Sequence, residues 1–148
     1  MVANGSAVEL ISDNDHEKFL TFERRNNANG TRVVTDVYRP SRSQWTLRSV
    51  SGGGQWDFNF VNRPTGKCID VDNGRWAQNG DALNEWDCEG QTSQVFTTFS
   101  WGEEPGTWMI KQKNTDLCAN TTGATPRHLV LSTCYQATLS ERFLPHFY

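Results

Sequence analysis

The four cysteines have the most distinctive chemistry in this 148-residue chain, and they stand at positions 68, 88, 118 and 134. No C-x-x-C pair occurs, and His128 is a single histidine between the last two cysteines, so the pattern argues against a zinc site. An even count with separations of 20 and 16 residues favours two local disulfides, Cys68–Cys88 and Cys118–Cys134, among three possible connectivities. Because disulfides persist in oxidising compartments, we expect a secreted or extracellular protein.

Catalytic motifs are missing from the sequence. The three histidines belong to no nucleophile-base motif, and neither G-x-S-x-G nor H-E-x-x-H occurs. Asp70 could pair with Glu85 or Asp87, but alternate residues of a strand face opposite sides, so we expect these two to flank Trp86 instead. We therefore expect a protein that is not an enzyme and that needs no cofactor or metal, although it could be one module of a longer enzyme.

Charge and hydropathy exclude two classes of partner. Fourteen basic and 17 acidic residues give a formal net charge of −3, which provides no basic field for a phosphate backbone, so no nucleic-acid partner is expected. No apolar run approaches the roughly 20 residues that span a bilayer, so no membrane insertion is expected.

No signal peptide follows Met1, and residues 1–6, MVANGS, are interpreted as a start added to a mature chain. Six tryptophans are an unusually high number for so polar a chain, and we expect them in the core, at a binding face, or in both.

The elements that position these residues repeat three times. FVNRPTGKCIDV, which contains Cys68, is echoed 50 residues later by IKQKNTDLCANT, which contains Cys118. The same pattern 48 residues earlier has Leu20 in place of the cysteine. Three polar-x-aromatic triplets close the units, and they end at Trp45, Phe96 and Phe143. The sequence therefore predicts three units of about 48 residues, at about 7–54, 55–103 and 104–148, within a single domain.

Each unit has the pattern of strands and turns. Trp56, Phe58 and Phe60 alternate with polar residues, which predicts a half-buried strand, and Asn-Gly turn signals recur along the chain. Three units are too few for a propeller, which takes 4–8 blades. They predict an all-β fold around one pseudo-threefold core.

The second unit resembles a repeat of the ricin B-type lectin family. The resemblance rests on CIDVDNGRWAQNGDALNEWDC, from Cys68 to Cys88, followed by the triplet Gln94-Val95-Phe96. The other two units are similar more weakly, and the third also resembles the lectin-like subunits of cytolethal distending toxins. The resemblance implies a β-trefoil: twelve strands in a six-stranded barrel capped by three hairpins. Phe96 and Phe143 replace the family's usual tryptophan, and Ser43 and Glu141 replace its glutamine.

The resemblance also implies a galactose-type site in the second unit. Asp70 matches the carboxylate that accepts hydrogen bonds from two sugar hydroxyls, and Trp86 matches the aromatic platform for the sugar's apolar face. Asn84 matches the polar side chain that faces the sugar. Two alternatives stay open: Asp70 satisfies amides of the following turn, or Trp86 packs over the Cys68–Cys88 disulfide.

Three further residues complete the expected site. The family's asparagine before the closing glutamine is Ser93 here, so the hydroxyl of Ser93 or the amide of Gln91 is expected to substitute for it. Asn73, in the turn 72–74, is expected to form the other lip of the pocket through backbone groups.

The other two units are expected to have lost their pockets. At the position of Asp70 the first unit has Phe22 and the third has Asn120, and at the position of Trp86 they have Asp36 and Ser132. Because an aromatic ring cannot accept hydroxyl hydrogen bonds, the first unit should not bind sugar in the family's manner.

The function expected from the resemblance is non-catalytic binding of cell-surface glycans of galactose or N-acetylgalactosamine type. A module with one site suits a cell-binding or delivery subunit of a secreted multicomponent toxin, with partner subunits. Two alternatives remain: a trefoil for protein interaction or assembly with a vestigial sugar site, and a carbohydrate-binding module cut from a glycoside hydrolase.

Overall fold

The computed structural model describes residues 4–24, 28–39, 42–72, 77–100, 106–135 and 138–147. Within these ranges the regular structure is strand, apart from two single-turn 3-10 helices at Thr92–Gln94 and Leu139–Glu141. No helix in the described part of the chain is long and apolar enough to cross a membrane. The strands are β1 (Ser6–Ser12), β2 (Phe19–Phe22), β3 (Val33–Asp36), β4 (Trp45–Ser49), β5 (Asp57–Asn62), β6 (Cys68–Val71), β7 (Leu83–Trp86), β8 (Phe96–Phe99), β9 (Met109–Gln112), β10 (Leu117–Thr122), β11 (Arg127–Thr133) and β12 (Phe143–Phe147).

Six of these strands close a barrel. Antiparallel pairing runs from β12 to β1, then to β4, β5, β8 and β9. The ring closes beside β9, where Trp108 and Phe143 exchange backbone hydrogen bonds of 2.6 and 2.8 Å. The first and last strands of the chain are therefore locked into one structure.

The remaining six strands form three hairpins, β2–β3, β6–β7 and β10–β11. The hairpins contact one another in a ring, through the bridges Arg32–Asn84 and Ala82–Val130 and the pairing of β3 with β11. A six-stranded barrel with three hairpins related by pseudo-threefold symmetry is a β-trefoil, which confirms the predicted fold class.

The closing aromatic residues of the three units fill the shared core. Trp45, Phe96 and Phe143 are all fully buried, as their repetition predicts. The indole nitrogen of Trp45 donates to the carbonyl of Leu20 at 3.0 Å, so this buried polar group is satisfied. A phenylalanine has no donor to satisfy, so Phe96 and Phe143 fit the same core position without such a partner.

The first unit differs by one residue from the alignment that the sequence suggests. Phe19 pairs with Asp36 between β2 and β3 just as Cys68 pairs with Trp86 between β6 and β7. The residue equivalent to the first cysteine is therefore Phe19, and Leu20 belongs to the buried core.

Consequently Thr21, and not Phe22, occupies the position of Asp70 in the first unit; Phe22 packs in the core. The cause is a longer turn between the first two strands of that unit. The backbone hydrogen bond that closes the turn encloses residues 13–17 in the first unit but residues 63–66 in the second. The first unit still lacks a carboxylate at this position, because the residue there is a threonine.

Both expected disulfides are present, between Cys68 and Cys88 and between Cys118 and Cys134. In the first unit the two equivalent positions hold Phe19 and Tyr38, whose rings meet edge to face with centroids 5.0 Å apart. An aromatic pair therefore joins the positions that disulfides join in the other two units.

The polar residues of β5 are more buried than a half-buried strand predicts. Asp57 and Asn59 are each only 5% exposed. Asp57 accepts hydrogen bonds from Thr97 and Lys113, both at 2.6 Å, and Asn59 donates to the carbonyl of Gln94 at 2.8 Å. These bonds join β5 to the end of the second unit and to Lys113 of the third, and they offset the cost of burying polar groups.

Candidate functional site

A cleft of about 230 Å³ opens beside the β6–β7 hairpin of the second unit. One wall comes from β6 and the residue after it, the second from β7, and the third from the loop that leads to β8. Its lining residues are Asp70, Val71, Asp72, Asn84, Trp86, Glu89, Gln91 and Ser93.

Asp70 forms the floor of the cleft and is only 8% exposed. Its Oδ2 accepts a hydrogen bond of 3.0 Å from Nε2 of Gln94. Its Oδ1 is buried and has no hydrogen-bond partner among the described residues. A buried carboxylate oxygen without a donor is costly, so this atom marks a place where a ligand's donor would be favourable.

Asn84 lies directly across the hairpin from Asp70, and β-sheet pairing holds the two side chains side by side. Nδ2 of Asn84 donates to Oδ1 of Asp72 at 2.7 Å, and Oδ1 of Asn84 accepts a longer hydrogen bond of 3.4 Å from Arg32. The amide is therefore held in one orientation, with its oxygen toward the first unit.

Trp86 stands at the rim of the cleft with 38% of its surface exposed. The hairpin tip of the first unit holds the strand segment that carries it. Gly30 donates to the carbonyl of Glu85 at 2.8 Å, and the amide of Asp87 donates to Oδ1 of Asn29 at 3.0 Å. Lys67 then binds both Asp87 and Asn29, each at 2.9 Å. An exposed ring on a fixed backbone is suited to stacking against a flat apolar surface.

The third wall contains polar groups from a short loop. Gln91 donates to Glu89 at 3.0 Å, and both side chains are exposed. The hydroxyl of Ser93 is buried, and no hydrogen-bond partner for it occurs in the described part of the chain. The loop is fixed by Gln94, whose Oε1 accepts from the amide of Glu89 at 2.9 Å and whose Nε2 also donates to the carbonyl of Asp87 at 2.7 Å.

Five of the six residues expected at the site line this one cleft: Asp70, Asn84, Trp86, Gln91 and Ser93. The sixth, Asn73, lies outside the described residues. The sequence interpretation did not anticipate the side chains of Asp72 and Glu89, because the lip was expected to act through backbone groups and Glu89 belongs to no motif. The period of two does indicate Asp72, since it lies two residues after Asp70 and so on the same face.

The equivalent positions of the third unit are occupied differently. Asn120 donates to Ser132 at 2.9 Å, and Ser132 donates to the carboxylate of Glu141 at 2.8 Å. Tyr135, next to this group, is 63% exposed, and its backbone amide donates to Glu141 at 2.7 Å. Ser132 and Glu141 therefore bond with each other, whereas Oδ1 of Asn120 is buried and has no hydrogen-bond partner among the described residues.

Three carboxyl groups near the hairpins have shifted pKa values. Burial raises the pKa of Glu85 to about 7, and burial also raises the pKa of Glu141. The hydrogen bond from Lys67 lowers the pKa of exposed Asp87. Glu85 itself points away from the cleft and into the protein, where it is fully buried.

The described residues contain no cluster of three or more histidine, cysteine, aspartate or glutamate side chains able to hold a metal ion. The described side chains of the cleft supply carboxylates, amides, one hydroxyl and one aromatic ring.

Comparison with known proteins agrees with this architecture. A family model described as "Ricin-type beta-trefoil lectin domain-like" matches residues 40–133. The chain belongs to this family. The match includes the whole cleft of this lectin-like chain, from Asp70 to Ser93. A comparison with curated protein sequences finds no significant match.

Several solved structures are similar to this lectin-like chain. The ricin B-like lectin of Macrolepiota procera in complex with lactose superposes with a TM-score of 0.80 at 10% identity, covering 98% of this chain and 97% of that one. Cytolethal distending toxin from Actinobacillus actinomycetemcomitans gives a TM-score of 0.71 at 20% identity, covering 97% and 89%. The exo-β-1,3-galactanase 1,3Gal43A from Clostridium thermocellum gives 0.84 at 16% identity, covering 100% of this chain but 31% of the enzyme. At these identities the likeness shows a common fold.

Proposed function

We propose that this protein binds the terminal sugar of a glycan, of galactose or N-acetylgalactosamine type, in the cleft of the second unit and without catalysis. The observation that carries the proposal is the half-satisfied carboxylate of Asp70, buried at the floor of a cleft whose rim holds the exposed ring of Trp86. Asp70 lacks a donor on the side where a ligand would supply one.

The chemistry of a pyranose complements these groups. Its hydroxyls donate to Oδ1 of Asp70, and its apolar C–H face gains contact area on Trp86 without losing hydroxyl hydrogen bonds. Asn84, Ser93 and Gln91 add polar groups around the ring, and Asn73 remains a proposed contact from the lip. This combination of one acceptor and one platform favours a single sugar residue over a long chain.

A shallow, open site of this kind binds weakly on its own, with a dissociation constant of about 0.1–10 mM. Stable attachment to a cell surface then requires several sites presented together, since linking sites raises the effective concentration. We propose that the protein is secreted, as its two disulfides suggest, and acts as the cell-binding part of a larger assembly. The likeness to cytolethal distending toxin supports a toxin as that assembly.

The first test is titration with lactose, followed by the backbone amide signals in NMR, because this method detects millimolar binding. We expect lactose to shift signals near Asp70 and Trp86, and Asp70→Asn and Trp86→Ala to abolish the shifts. Tyr135→Ala is the matched control, since it removes an exposed ring from the third unit and should leave binding intact. If lactose causes no shift and the protein also binds nothing on a glycan array, the sugar-binding proposal fails.

A second candidate function is a carbohydrate-binding module of a glycoside hydrolase. The galactanase supports it, because this chain matches only 31% of that enzyme. This candidate predicts retention on an immobilised galactan that free galactose does not reverse. A protein-interaction trefoil predicts no binding to either sugar form.

A further inference from the structure

We propose that the cleft of the second unit selects ligands by charge, so that it accepts neutral sugar termini and excludes anionic ones such as sialylated, sulfated or uronic acid termini. The inference rests on the proposed sugar-binding function and names the class of glycan that this function serves.

Carboxylates lie on more than one side of the cleft. Asp70 forms its floor, Asp72 follows on the same face of the hairpin, and Glu89 contributes from the opposite loop. Asp72 and Glu89 are exposed, so an anionic substituent on a bound sugar would approach them through solvent. Asp70 is buried with one oxygen unpaired, and the anionic group of a sugar cannot itself supply the hydrogen-bond donor that this oxygen lacks.

Among the described residues, the basic side chains nearest the cleft are Lys67 and Arg32. None of the three carboxylates has an ion pair with a basic residue among the described residues. Lys67 binds Asp87 at 2.9 Å on the side of the hairpin that faces the first unit. The guanidinium of Arg32 bonds to the cleft residue Asn84 through a long hydrogen bond of 3.4 Å. In the described part of the chain, therefore, no basic side chain forms an ion pair with the cleft's carboxylates.

The size of the effect follows from Coulomb's law. A single carboxylate at about 4–7 Å from an anionic substituent weakens binding roughly threefold to fivefold where water screens the pair. Three carboxylates together should therefore weaken the binding of an anionic sugar by at least about tenfold at low salt. Added salt should reduce this factor, because the exposed charges are screened.

The test compares sugars that differ in charge and little in shape. Methyl β-galactoside, its 6-carboxylate (the methyl galacturonoside) and the neutral amide of that carboxylate are titrated against the whole chain by NMR. A 3-O-sulfated galactoside places the negative charge at another ring position. Measurements at about 20 and 300 mM salt separate the effect of charge screening from that of sugar shape. Arg75, which lies outside the described residues, is kept in every protein tested.

We expect the neutral galactoside and the amide to bind alike, and both anionic sugars to bind at least about tenfold more weakly at the lower salt. Glu89→Gln keeps an acceptor for Gln91 but removes one charge, so it should reduce the ratio of neutral to anionic affinity about threefold. Asp72→Asn, which retains a side-chain oxygen, should act in the same direction.

The two proposals fail in different ways. If the anionic sugars bind as well as the neutral ones, or if salt and the Glu89→Gln variant leave the ratio unchanged, charge selection is wrong while sugar binding stands. If none of the four sugars binds to a folded protein, the proposed function itself fails.

Discussion

Replacing Glu85 by leucine should stabilise this protein by an amount that grows with pH. Glu85 pairs with Ile69 across the second hairpin, and the equivalent pair in the third is Ala119 with Leu131. The fold therefore places a carboxylic acid where another unit has a core leucine. The side chain is 0% exposed, and burial raises its pKa to about 7.

The sign and size of the effect follow from proton linkage. The unfolded chain holds this group at its ordinary pKa of 4.5, whereas the folded protein holds it at about 7. The folded state therefore binds the proton more tightly, so the contribution of Glu85 to stability is fully present below pH 4.5 and is lost as the pH rises through 7. The full loss is about 3 kcal/mol by pH 8, because each pKa unit corresponds to about 1.4 kcal/mol.

Urea unfolding followed by tryptophan fluorescence, at pH 4.5, 6 and 8, measures this loss. We expect the gain in unfolding free energy of Glu85→Leu over the parent protein to be about 3 kcal/mol larger at pH 8 than at pH 4.5. Glu85→Gln, which is uncharged but still polar, should show the same change with pH and a smaller gain overall. Other groups with a shifted pKa, such as Glu141 and Asp57, occur in both proteins, so their contributions to the pH dependence of the unfolding free energy cancel in the difference. If the gain is the same at all three pH values, the argument from burial of Glu85 is wrong.

Three further predictions test contacts between and within the units. Gln94→Leu should lower the stability by about 1–3 kcal/mol and weaken sugar binding, because it leaves buried acceptors without their donor; urea unfolding and the lactose titration measure the two effects. Asn29→Ala should weaken lactose binding at nearly unchanged melting temperature, since Asn29 holds the segment that carries the exposed ring; Asn79→Ala, at the equivalent turn of the second hairpin, is the control and should bind normally. In a double-mutant cycle, Phe19→Leu and Tyr38→Leu should couple by about 0.5–1.5 kcal/mol in urea unfolding, and additive effects would show that the ring contact contributes nothing.

The fold was predictable because its evidence is spread over the whole chain. The closing aromatic residues and the cysteines recur at one period, and each marks a core or hairpin position in the structure. The one-residue error in the first unit has a local cause: aligning Leu20 with Cys68 ignores a turn that is one residue longer. Periodicity finds units reliably but cannot locate an insertion inside a polar turn, because several residues there suit either alignment.

The candidate site was predictable only where a motif fixes the position of a residue. Asp70 and Trp86 stand at set distances from the cysteines, and both line the cleft. Glu89 follows the second cysteine in a loop whose conformation depends on the hydrogen bond between its amide and Gln94. The burial of Glu85 was also not foreseen, since the hairpin tip of the first unit packs against it through contacts far apart in sequence.

The closing triplets offer a reason why the proposed site lies in the second unit. In every unit the backbone amide after the second cysteine position donates to the first side chain of the triplet: Arg39 to Ser43 at 3.0 Å, Glu89 to Gln94 at 2.9 Å and Tyr135 to Glu141 at 2.7 Å. The fold therefore requires only an acceptor at this position, and a hydroxyl, an amide or a carboxylate can serve.

A sugar site based on Asp70 requires a donor at this position as well. One oxygen of the buried carboxylate must accept a hydrogen bond from the protein while the other faces the ligand. An ionised Glu141 cannot donate a hydrogen bond, so it could not hold a carboxylate in this way. Gln94 is the residue among the three whose side chain both accepts through its oxygen and donates through its nitrogen. A glutamate in place of glutamine in the third unit is therefore compatible with the trefoil but not with a carboxylate held as Asp70 is held. By this argument, a sugar site in the third unit needs Glu141→Gln and Asn120→Asp as well as a ring in place of Ser132. Either Glu141→Gln or Asn120→Asp alone should leave that unit unable to bind lactose in the NMR titration.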